Sequence, residues 1–74
     1  MKRRQKRALQ RRYAIIGVLC KRGSMSETGI CLELGIPLGT IYPDLQLLEE
    51  QGYIIPQWVE GPYPRHRVYK LENE

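Results

Sequence analysis

Seven of the twelve lysines and arginines in this 74-residue chain fall within its first twelve positions: Lys2, Arg3, Arg4, Lys6, Arg7, Arg11 and Arg12. The chemistry open to such a block is neutralisation of a polyanion. Residues 13–74 carry five basic side chains against eight acidic ones, a net charge of −3, so the basicity belongs to an arm and not to the body. The block has no large apolar anchors, which favours nucleic acid over a membrane surface. The plain alternative is a solvated tail that aids solubility. Other reactive residues are sparse. One histidine, His66, and scattered carboxylates offer no nucleophile triad, no ligand cluster and no phosphate-cradling loop, so an enzyme is not expected. Cys20 and Cys31 have ten residues between them, without the close pairs of a zinc site. They read as two small buried hydrophobes in a reducing compartment, and neither a metal nor a cofactor is expected.

A chain of this length forms one domain with one thin core, better suited to presenting surface groups than to enclosing a deep site. No apolar run approaches the roughly 18 residues of a membrane span, so the expected location is cytoplasmic and no membrane partner is expected. After the arm, assigned to residues 1–12, "ALQRRYAIIGVLCKRG" places Leu9, Tyr13, Ile16 and Cys20 at helical spacing, joined by Ile15 and Leu19, and closes at Gly23. Lysine, arginine, glutamine and leucine all favour helix, so the point where arm becomes helix stays open. A short second helix, 26–34, has Ser24 with Glu27 at capping-box spacing or Ser26 as its cap, and turns Ile30 and Leu34 inward. The third, 40–51, takes Thr40 as its cap. That start puts Pro43 in the first turn, where its missing N–H costs little, and lines up Ile41, Leu45, Leu48 and Gly52 on one side. Beyond Gly52, "YIIPQWV", "EGPYPR" and "HRVYKL" read as strand, loop, strand, with Pro56 tolerable at a sheet edge.

The expected fold is therefore α+β, a winged helix-turn-helix of three helices followed by a two-stranded β-hairpin wing, spanning 13–74. The residues "GTIYPDLQLLEEQGYI", a tryptophan in "PQW" and "RVYKL" resemble the PadR family of bacterial transcriptional regulators. That family's recognition segment runs G-T-[LI]-Y-P-x-L-x-x-L-E-x-x-G, and its second wing strand carries R-x-Y-x-L. The match covers residues 14–71 and is specific in 39–54. It implies sequence-specific binding of double-stranded DNA, as a repressor, with helix 40–51 in the major groove and the protein nucleoid-associated when bound.

Carried over by position, Gly39, Thr40, Tyr42 and Pro43 would seat a phosphate at the start of the recognition helix. Base reading would fall to the outward Thr40, Asp44, Gln46 and Leu47. Gln46 could bond an adenine edge and Asp44 could accept from a cytosine amino group. The helix departs from many relatives in having no basic residue, so backbone contacts would fall to the arm and to Arg65, His66 and Arg67 on the wing. Leu45, Leu48 and Glu49 of the motif read as structural. Family members usually continue into C-terminal helices that make the dimer, whereas this sequence stops three residues after Leu71. Either a homodimer forms through the first helix, or the chain binds as a monomer along repeated sites. No small-molecule effector is expected. A reading from another class is a winged-helix protein-interaction module whose arm binds RNA or an acidic partner.

Overall fold

The computed structural model describes the backbone of residues 3–60 and 66–72, and the side chains of 6–60 and 67–72. Three helices and a three-stranded antiparallel sheet make up the fold: α1 (Arg3–Arg22), β1 (Met25–Ser26), α2 (Glu27–Leu34), α3 (Leu38–Glu50), β2 (Ile54–Val59) and β3 (His66–Leu71). The fold is thus the expected α+β winged helix, with one strand more than the expected hairpin. The sheet order is β1-β3-β2. Met25 and Ser26 pair with Tyr69 and Val68 of β3, so the wing is joined to the turn between α1 and α2.

The core comprises Ile15 and Leu19 of α1, Ile30 of α2, Ile41, Leu45 and Leu48 of α3, Ile54 of β2 and Tyr69 of β3, all at most 2% exposed. Each such side chain removed from water stabilises the fold by about 1.5–3 kcal/mol. The α1 contribution corrects the sequence reading: Ile15 and Leu19 face inward, while Tyr13 is 72% exposed and Cys20 is exposed. The stripe Leu9, Tyr13, Ile16, Cys20 lies on the flank of α1, because residues 13 and 15 are about 200° apart around a helix. Cys31 behaves as expected, half-buried against the core, and burial and the neighbouring Glu27 push its thiol pKa up.

Ser26 is the cap of α2, its hydroxyl accepting from the Gly29 N–H at 3.0 Å. Gly35 then takes the left-handed conformation, φ 67°, which lets α2 stop and the chain turn through Pro37 into α3. The cap of α3 differs from expectation by three residues. Pro37, not Thr40, is the cap, and its carbonyl accepts from both the Thr40 and Ile41 N–H groups. Pro43 accordingly sits in the second turn. Having no N–H, it leaves the Gly39 carbonyl without the bond that position 43 would supply. Gly52, at φ 81°, ends α3 and hands the chain to β2. In β2 Pro56 pairs opposite Tyr69 on the edge strand, where its missing donor disrupts no second ladder.

Candidate nucleic-acid interface

The surface of α3 follows from which of its faces the core consumes. Ile41, Leu45 and Leu48 turn inward, which leaves Gly39, Thr40, Tyr42, Pro43, Gln46 and Glu50 exposed and Leu47 partly so. Among the described residues Pro37 makes no side-chain cap hydrogen bond to the first turn of α3. A Cβ built on Gly39 would meet nothing within 4 Å, and its φ is not in the left-handed region. This glycine therefore answers no packing or backbone demand within the chain. The open end of α3 thus combines bare backbone, a threonine hydroxyl and partial positive charge from the helix dipole.

Asp44 corrects the outward assignment made from sequence. It is only 5% exposed and turns toward α1, since three residues after Ile41 place it about 60° from that core position. Arg11 Nε donates to its Oδ2 at 2.7 Å and Arg12 Nε to its Oδ1 at 3.4 Å. Its lone pairs are taken by α1, so it is not presented to a base edge. The two arginines, about a quarter exposed, are not loose parts of an arm either. Two guanidinium groups share one carboxylate, which leaves a net positive charge at the junction of α1 and α3.

Arg67 corrects the wing assignment in the same way. One Nη2 donates to both carboxylate oxygens of Glu49, at 3.1 and 3.2 Å, tying the wing to α3. Its guanidinium carbon lies 5.5 Å from the Trp58 ring centre and 5.4 Å from that of Tyr69, so it is stacked as well as paired. Its Nε is buried without a hydrogen-bond partner among the described residues. The Tyr69 hydroxyl donates to Glu27 at 3.3 Å and extends this network to α2. Burial, reinforced by Glu27 and opposed by Arg67, pushes the Tyr69 pKa up to about 12. Glu49 and Arg67, read separately in the sequence, are one interaction.

Of the remaining expected contacts, Lys6 and Arg7 are exposed on the first turns of α1. The backbone of Arg3 and Arg4 is helical, so the arm from residue 3 onward is an extension of α1. Lys2 and Arg65 lie outside the described residues, and His66 opens β3 opposite Val59 with its side chain outside them. Glu50, one of the acids that make the helix acidic, is exposed on the outward side of α3, and sequence reasoning passed over Leu38, which is 45% exposed at its start. Placing the cap at Pro37 would have revealed it. Among the described residues no group of three or more histidine, cysteine or carboxylate side chains could hold a metal ion, and no helix is long and apolar enough to cross a membrane.

No protein-family model and no curated protein sequence matches the chain. Among solved structures, the chain is similar to Bacillus subtilis PadR, whose crystal structure was determined in complex with operator DNA. The identity is 30% and the TM-score 0.71, over 84% of this chain and 40% of that one. The chain thus spans less than half the length of the PadR subunit it matches. Helix order and wing together give this chain a PadR-like winged-helix fold.

Proposed function

We propose that the protein is a PadR-type transcriptional regulator, most simply a repressor, that binds double-stranded DNA with α3 in the major groove. The observation that carries this reading is the outward strip of α3, bare and uncapped at its N-terminus, in a fold that matches a PadR solved on operator DNA. Thr40, Tyr42 and the backbone at Gly39 and Pro43 meet a phosphate. Gln46 reads a base edge, for which its amide can both donate and accept. Lys2, Arg3, Arg4, Lys6 and Arg7 supply the positive charge that α3 lacks. Arg11 and Arg12 add a residual charge after pairing with Asp44, while Arg65 and His66 serve the wing. Asp44 and Arg67 have structural duties and are left out of base and backbone contact respectively.

The alternative of a protein-interaction module draws on one observation, that α3 has no basic side chain and exposes Glu50. Selection of bound sequences from a random duplex pool at about 150 mM salt separates the two, because that ionic strength trims non-specific attraction. Enrichment of one motif is the expected result. A pool that stays random, despite retention at low salt, would leave only charge attraction and favour the interaction module.

A further inference from the structure

Pro43 weakens the helix that holds it. It stands inside α3, past the first turn, and the Gly39 carbonyl loses the N–H that any other residue at position 43 would offer. No packing inside the chain offsets that loss. The residue is exposed, and among the described residues it belongs neither to the core nor to the apolar side chains packed against it. A break in a local rule that the fold does not use answers a demand from outside the chain.

What the ring offers is hydrocarbon at the middle of the outward strip. Gly39 lies four residues before it and Leu47 four residues after, so the three share one side of α3. Gly39 has no side chain to stand in front of the ring. Leu47 is partly exposed and, like Pro43, is absent from the packed core. Gln46, three residues on, is exposed beside them. From Leu38 to Glu50 there is no lysine or arginine, the side chains that commonly donate to both acceptors of a guanine. An amide next to bare hydrocarbon is matched instead to adenine, which donates and accepts, and to thymine, which carries a methyl group. The exposed Glu50 is seven residues from Pro43, about 10 Å along the helix axis, so its carboxylate does not oppose the ring.

We infer that the Pro43 ring packs against a thymine methyl group in the major groove, with Leu47 extending the same apolar surface and Gln46 bonding an adjacent adenine. The DNA that α3 selects then has A·T pairs, not G·C pairs, under the middle of the helix. This rests on the proposed function and adds to it a residue that determines specificity through hydrocarbon contact. The ring does so independently of any contact made by the backbone of the same residue.

Selection from a random duplex pool at about 150 mM salt supplies the duplex for the test. Each thymine of the enriched motif is then replaced singly by deoxyuridine, which removes only the methyl group. Binding isotherms on these duplexes are taken for the wild type and Pro43→Ala, with melting curves for both proteins. One thymine is expected whose methyl group changes affinity by about 4-fold, the effect of burying one such group. Pro43→Ala should lose most of that uracil penalty while melting at a higher temperature, because position 43 regains its N–H. An enriched motif in which every uracil is tolerated overturns the inference and leaves the proposed function standing. A penalty undiminished in Pro43→Ala also overturns it, as does a variant that melts lower, since Pro43 would then serve the chain itself. A pool that never enriches removes the proposed function and this inference with it.

Discussion

Asp44 shows at the scale of one residue how an assignment can be chemically sound and spatially wrong. A carboxylate on a recognition helix can accept from cytosine, but this one is held by Arg11 and Arg12 on the side of α3 that α1 covers. Sequence alone revealed its distance from the core line and could not reveal which flank another helix would occupy. Asp44→Ala should cost about 2 kcal/mol of stability, the worth of charge-assisted hydrogen bonds. On the proposed function, the same change frees two arginines, so affinity should rise on every duplex with sequence preference unchanged. Melting curves and binding isotherms on matched and scrambled duplexes check both parts, and a changed preference would return Asp44 to base reading. Tyr69 gives a second residue-level outcome. Its pKa is raised from 10 to about 12, so the fold holds its proton more tightly than the unfolded chain does. That contribution is complete below pH 10 and is lost as pH rises through 12. Wild type should therefore lose melting temperature across this interval faster than Tyr69→Phe, and parallel losses would rule the tyrosine out as the cause.

Among the elements, the apolar lines of α2 and α3, the Ser26 cap and the wing strands were legible, because periodicity and capping are local signals. Three features were not. β1 is two residues long and becomes a strand only by pairing with β3. Helix α1 offers two apolar stripes, and the longer one, Leu9 to Cys20, is not the one the core takes. The start of α3 was misplaced because Thr40 is a better capping residue than Pro37, yet the turn from Gly35 delivers the chain to helix geometry three residues earlier. The sequence motif around Glu49 and the one around Arg67 meet as a clamp between α3 and the wing. Among the described residues, Glu49→Ala leaves Arg67 with its aromatic neighbours Trp58 and Tyr69. The expected cost is about 1 kcal/mol, modest because both partners are partly solvated, together with a shift in Trp58 fluorescence as the guanidinium leaves its place over the indole. An unaltered emission spectrum would mean that stacking alone holds the wing.

For the whole molecule, charge is divided between a helical basic extension and an acidic body whose α3 displays no cation. Affinity for duplex DNA is therefore expected to come from the extension and selectivity from α3. Deleting residues 2–7, which hold five basic side chains, should flatten the slope of log affinity against log salt by up to about 4–5. A slope that stays as steep would locate the phosphate contacts elsewhere. The central claim, that the outward strip of α3 reads sequence, is tested most directly by Gln46→Ala, measured on the selected duplex and on a scrambled one at fixed salt. Loss of about 5- to 150-fold on the selected duplex, with scrambled binding unchanged, is the predicted result for one base contact. Equal affinity of variant and wild type for both duplexes, or an equal loss on both, would contradict it.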